Sequence, residues 1–168
     1  MNLPIPGSTT VLTQTSTLTL SSPAFEHERF IPSKYTCEGE NVNPPLRIEN
    51  IPAGTKSLAL IVDDPDAAGG TFIHWLVWNI RPAEMIWENS VQGTEGINNF
   101  GTTRYQGPCP PTGTHRYSFK VYVLDDVLDI EAGSKLKVVE KAMKNHILNY
   151  SELVGFFRKT ILVNKPIE

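Results

Sequence analysis

The sequence predicts a mainly β, antiparallel domain with one or two short peripheral helices near its C-terminus. Two observations predict it. Runs with a two-residue apolar alternation come first, and a single run with helical spacing comes late. The strand runs are not interleaved with helical ones, so the rhythm of a parallel α/β sheet is missing.

Residues 1–16 are rich in Ser, Thr and Pro and read as a loosely ordered arm, leaving 17–168 as a single domain. Alternation begins at Thr17-Leu18-Thr19-Leu20. Residues 57–63 form the next run, with Leu58, Leu60 and Val62 on one face and Ala59 and Ile61 on the other. Both faces are apolar, which predicts a central strand. Residues 72–80 form a third run, where simple alternation groups Phe72, His74, Leu76, Trp78 and Ile80 against Ile73, Trp75 and Val77. Residues 117–124 form a fourth. Between them lie turn signals at Pro52-Ala53-Gly54, Gly69-Gly70 and 107–113. Leu136, Val139 and Met143 recur at helical spacing behind a Gly133-Ser134 cap. A further helical turn is expected over 151–154 and a last strand over 156–163.

A chain of 168 residues with 40% hydrophobic and 20% charged residues suits one ordinary globular domain. The net charge of −3 offers no basic footprint for nucleic acid. No stretch approaches the roughly 20 apolar residues of a membrane helix, and no secretory leader is visible, so a cytoplasmic location without membrane insertion is expected. Cys37 and Cys109 lack the spacing of a metal site. In a reducing compartment both are expected as free thiols.

Three segments place polar groups where strands end. Asp63-Asp64-Pro65-Asp66 follows the 57–63 run, and Pro65 forces a turn. By itself this is an ordinary solvated Asp-Pro turn. His74 lies near the start of the third run, where a lone histidine is usually a satisfied core group. The segment 107–117, Gly-Pro-Cys-Pro-Pro-Thr-Gly-Thr-His-Arg-Tyr, leads into the fourth run. Its prolines stiffen the loop, and the N–H groups of Gly107, Cys109, Gly113 and Thr114 are available to line an anion-binding concavity. His115 and Tyr117 share strand parity and can face one site.

Taken in order, these segments resemble the phosphatidylethanolamine-binding protein family, in its prokaryotic branch similar to Raf kinase inhibitors. The matching runs are 35–41 (Tyr-Thr-Cys-Glu-Gly-Glu-Asn), Pro44-Pro45-Leu46, Asp63-Asp64-Pro65-Asp66-Ala67, His74-Trp75, 98–101, 107–111 and His115-Arg116-Tyr117. The resemblance implies an antiparallel β-sandwich with a small surface pocket for phosphate, acetate or phosphorylated headgroups. It implies a polar lining of Asp64, His74 and His115, completed by Tyr117, Pro111, Tyr105 and the Gly107 loop, with Asp66 bracing the turn. Cys37 and Cys109 both fall in segments that the family places near the pocket, which admits a link between them. Arg104 departs from the family pattern, which has Gly before the Tyr.

Two histidines and an aspartate suit acid–base work, yet no Ser or Thr stands in a matched position and no Gly-x-Ser-x-Gly run exists. A two-His, one-carboxylate set can hold a metal, but the resemblance implies metal-free anion binding without a cofactor. The expectation is therefore a non-catalytic binding protein for a small phosphate- or carboxylate-bearing ligand. The alternative is an interaction module inhibiting a kinase or protease, in either case monomeric or a homodimer.

Overall fold

The computed structural model describes residues 17–161, so the arm expected over 1–16 lies outside them. The strands in chain order are β1 (Thr19–Ser21), β2 (Arg29–Phe30), β3 (Leu46–Glu49), β4 (Ser57–Asp64), β5 (Phe72–Ile80), β6 (Met85–Ile86), β7 (Thr94–Glu95), β8 (His115–Leu124) and β9 (Ile147–Phe157). Helix α1 (Leu136–Met143) precedes β9. β1, β3 and β6 make a small sheet, and the large sheet runs β2-β9-β8-β4-β5-β7. Every pairing is antiparallel except the short parallel pair of β2 with β9.

The alternation of β4 explains the layering. Leu58, Leu60 and Val62 join Leu20, Leu46, Ile48 and Ile86 of the small sheet in the inter-sheet core. Ala59 and Ile61 face the other way, against Leu128, Val139 and Met143 around α1. All eight residues of β4 are buried, as a strand covered on both faces requires. Helix α1 presents an apolar stripe with buried Val139 and Met143.

Three local expectations are corrected. Lys135, not Ser134, occupies the N-cap, and the Ser134 hydroxyl turns back to the Glu131 carbonyl. Residues 151–154 are not helical: β9 extends from Ile147 and pairs with β8 along ten positions. Its first half is largely exposed, so no apolar period marked it, and pairing with β8 decided its form. The strand ends at Phe157, and 158–161 carry no strand pairing.

The simple alternation of β5 also fails, for a reason that bears on the site. Val62 pairs with Trp75 but Asp63 pairs with Ile73, which inserts His74 as an extra residue. Leu60 pairs with Val77 but Leu58 pairs with Ile80, which inserts a second extra residue opposite Ala59. These are β-bulges, and each reverses the facing of the strand residues beyond it. Leu76 and Trp78 therefore face α1 together with Ile73, whereas Ile80 joins Trp75 and Val77 in the inter-sheet core. At the second bulge Asn79 adopts φ 54°, and its amide donates to the Leu128 carbonyl at 2.9 Å while its oxygen accepts from the Leu128 N–H at 2.8 Å.

This bulge makes a graded prediction. Asn79→Ala loses both hydrogen bonds, about 1 kcal/mol each, and places an ordinary side chain in the left-handed region at about 1 kcal/mol more. Asn79→Gly loses only the hydrogen bonds. Urea unfolding is expected to rank wild type above Gly and Gly above Ala, with a total loss of about 3 kcal/mol for Ala.

Candidate functional site

The C-terminal end of β4 and the N-terminal ends of β5 and β8 lie on the same edge of the large sheet, since Asp64 pairs with Phe72 and Asp63 with Ser118. The loops leaving that edge enclose a cavity of about 240 Å³. Asp64, His74, His115 and Tyr117 form its polar side; Phe72, Phe100, Ala67, Ala68, Gly69 and the Cys109-Pro110-Pro111 stretch form its apolar side. Wider hollows exist, such as one over Arg47, Glu49 and Glu84, but it contains no buried polar group left without a partner.

The histidines are held in defined states. His74 Nδ1 lies 2.6 Å from the Gln106 carbonyl, which can only accept, so Nδ1 carries the proton and Nε2 presents a lone pair. His74 is 3% exposed, and burial lowers its pKa below the ordinary value. His115 Nδ1 donates to Asp64 Oδ2 at 2.7 Å, which leaves its Nε2 for other contacts. The other Asp64 oxygen accepts the Asp66 N–H at 2.8 Å. Tyr117 packs between the two imidazoles, edge-on to His74 at 5.4 Å and stacked on His115 at 6.5 Å between ring centres.

The Tyr117 hydroxyl is buried with no hydrogen-bond partner among the described residues. Burial, then the nearby Asp64 charge, pushes its pKa well up, so the proton stays on the oxygen. The Cys109 backbone N–H acts in the opposite sense and the Asp64 carboxylate lies close enough to favour the proton further, yet neither meets the geometry of a hydrogen bond to the hydroxyl. A buried donor without an acceptor is uncommon and costly.

The structure thus brings Asp64, His74, Pro111, His115 and Tyr117 together, and leaves Tyr105 and Gly107 off the cavity. The Tyr105 hydroxyl donates to the Tyr35 carbonyl at 2.7 Å, and its ring packs edge-on against Trp75. The Gly107 N–H donates to Asn41 Oδ1 at 2.8 Å and faces no ligand. A Cβ at Gly107 would collide with the Tyr35 carbonyl oxygen, so its lack of a side chain lets two loops meet. Asp66 braces the turn: it takes both the side chain and the backbone N–H of Arg116. Arg104 is exposed and stands off the cavity wall.

Sequence reasoning takes 96–105 as a loop suited to a pocket wall but does not single out Phe100, nor Phe72, whose rings meet edge-on at 4.8 Å beside His74. Phe72 was legible as the strand neighbour of His74, but Phe100 is placed by its loop. It also missed Asn98, which is 4% exposed. Asn98 donates to the carbonyls of His74 and Arg104 and accepts from the N–H groups of Phe100 and Thr102. The expectation of free thiols is corrected: Cys37 and Cys109 form a disulfide across 72 residues. The fold lays the turn after Tyr35 against the 107–111 loop, a contact that spacing alone does not reveal.

Comparison with known proteins agrees with this architecture. The family model for phosphatidylethanolamine-binding protein matches residues 21–158. A UPF0098 protein of Pyrococcus abyssi is 50% identical over 82% of this chain and 84% of its own. A UPF0098 protein of Methanothermobacter thermautotrophicus is 43% identical over 84% of this chain and 99% of its own. A crystal structure of a phosphatidylethanolamine-binding protein homolog from Chlamydia trachomatis superimposes with TM-score 0.83 at 39% identity, covering 85% of this chain and 98% of that one. Escherichia coli YbcL, described as a member of the mammalian family, superimposes with TM-score 0.78 at 26% identity, covering 85% and 99%.

The buried His74 makes a stability prediction. Its folded pKa lies below the ordinary value near 6.5. Between the two values the unfolded chain binds a proton that the folded chain refuses, so stability falls as pH drops through 6.5. Urea unfolding at pH 7.5 and pH 5 is expected to show a larger acid loss for wild type than for His74→Gln, with each unit of pKa difference contributing about 1.4 kcal/mol. Equal losses in the two proteins would show that His74 is not held neutral.

Proposed function

Because the chain belongs to the phosphatidylethanolamine-binding protein family, we propose that the cavity binds a small phosphorylated headgroup as its monoanion and does not convert it. The observation that carries this reading is the buried Tyr117 hydroxyl, a donor without an acceptor on the cavity wall. A phosphoryl oxygen supplies that acceptor. His115 Nε2 is the second polar contact on the wall, left free because Asp64 holds Nδ1. His74 Nε2 is an acceptor and suits the remaining P–OH of a monoanion, whereas a dianion would set an oxygen lone pair against it. The apolar wall of Phe72, Phe100 and Pro111 then meets the carbon part of the ligand.

Binding without turnover is favoured by the wall composition. No Ser or Thr lines the cavity, and the Cys109 sulfur is engaged with Cys37. The alternative, an inhibitory module acting on a kinase or protease, rests on exposed apolar side chains such as Trp87 and Phe100, which by themselves identify no partner. Among the described residues no helix is long and apolar enough to cross a membrane.

Two measurements test the proposal. Phenyl phosphate is expected to bind more tightly at pH 6 than at pH 8, by roughly fifty-fold from the monoanion population alone if its second pKa is about 6. Phenyl sulfate, which has no proton to give His74, is expected to bind weakly at both. Tyr117→Phe removes the unpartnered hydroxyl, so it is expected to leave stability unchanged or raised while weakening phenyl phosphate by about tenfold or more. Calorimetric affinities that are flat with pH and indifferent to Tyr117→Phe would end this reading.

A further inference from the structure

We propose that the Cys37–Cys109 disulfide is a thiol-exchangeable latch on the cavity: oxidised, it holds the 109–114 loop as the cavity wall, and reduced, it frees that loop and weakens ligand binding. The loss of affinity rests on the headgroup reading above; the freeing of the loop does not.

Three observations meet at this bond. Cys109, Pro110 and Pro111 form one wall of the cavity, so the disulfide sits directly behind the ligand space. The non-covalent ties of the loop stop at Pro108, whose carbonyl accepts the Cys37 N–H at 3.1 Å just after Gly107 donates to Asn41. From residue 109 to 114, no residue hydrogen-bonds to another described residue, and order resumes at His115 in β8. The disulfide is therefore the tether of a stretch that is otherwise held by proline stiffness and packing. Third, Cys37 is an exposed residue, so the bond reaches the surface on that side and not only the core.

The chemistry is ordinary exchange with a dithiol reductant. A thiolate of the reductant attacks the Cys37 sulfur, the S–S bond breaks, and the Cys109 sulfur leaves as a thiolate that takes up a proton. The second thiol of the reductant then displaces Cys37 from the mixed disulfide. Two electrons and two protons pass to the protein, and the dithiol becomes a disulfide. The turn that carries Cys37 is tied to a second segment, since Glu38 accepts the Thr160 N–H and, at 2.9 Å, its hydroxyl. Release of the latch therefore leaves the Cys37 side anchored and the cavity side loose.

The test uses the full chain, oxidised and then reduced with dithiothreitol under native conditions, with thiol counting. Amide 15N order parameters at Cys109, Thr112, Gly113 and Thr114 are expected to fall on reduction from the rigid range near 0.85 to below about 0.6, while the amides of β4 and β8 stay protected from hydrogen exchange. Phenyl phosphate affinity at pH 6 is expected to fall at least tenfold, with both changes reversed on reoxidation and reproduced by the Cys37→Ser/Cys109→Ser double variant. Unchanged order parameters in the reduced protein overturn the latch, as does a bond that resists reduction until the protein is denatured. Loss of protection across β4 and β8 also overturns it, because the bond would then be a staple of the whole fold. If phenyl phosphate binds neither form, the headgroup reading fails, and the order-parameter measurement alone decides whether the loop is latched.

Discussion

The insertion of one residue at His74 is the constraint on which the site depends. A regular strand shows alternate residues to opposite faces, so it cannot give Trp75 to the inter-sheet core and bring His74 beside Tyr117 on that same side. The bulge opposite Asp63 removes the conflict. On its β7 side β5 is strand-paired only at Val77 and Trp78, and the neighbouring loop supplies partners for the residues before them. The Ile73 N–H goes to the Asn99 side chain at 2.7 Å, and the His74 carbonyl accepts from Asn98 Nδ2 at 3.3 Å. The defect in the ladder and the loop that repairs it are parts of one construction.

That repair settles the chemistry of the imidazole. Residues 98–106 wrap the end of β5, and Gln106, the last of them, offers its carbonyl to His74 Nδ1. The carbonyl fixes the tautomer, and burial disfavours the cation, so His74 is an acceptor toward the cavity. His115 has a carboxylate as its Nδ1 partner, so Asp64 orients the ring and leaves Nε2 toward the cavity. Two histidines that look alike in the sequence are thereby held by different groups, a carbonyl behind one and a carboxylate behind the other.

This division marks what the sequence could and could not disclose. Apolar runs on both faces announced β4 as a central strand, and the spacing of Leu136, Val139 and Met143 announced α1, because burial leaves a period in the residues themselves. Asp64, His74, His115 and Tyr117 were legible because each sits on or beside a strand end within a recognisable run. The bulges were not legible: Asn79 is a common residue, and only its φ of 54° marks the break. Tyr105 and Gly107 sat in the right runs, yet their polar groups were already used by Tyr35 and Asn41, which pairing across loops alone reveals. The disulfide was obscured for the same reason. With the sulfurs joined, the cysteine-based argument for a reducing compartment lapses.

The same strand pairing explains how three aspartates survive within four residues. Alternation and the turn send them in three directions, and β8 supplies a partner for each. Asp63 meets Lys120 at 3.0 Å, Asp64 meets His115, and Asp66 meets Arg116 at 2.8 Å. Their environments then diverge. Burial raises the pKa of Asp63 despite its lysine, while the Arg116 guanidinium holds Asp66 down at about 2. Asp63 and Asp66 are each neutralised by a permanent cation outside the cavity. Asp64 alone is matched to a histidine that lines the cavity. The charge that an incoming anion meets is therefore set first by the Asp64–His115 pair, while the other two ion pairs stand off the cavity wall.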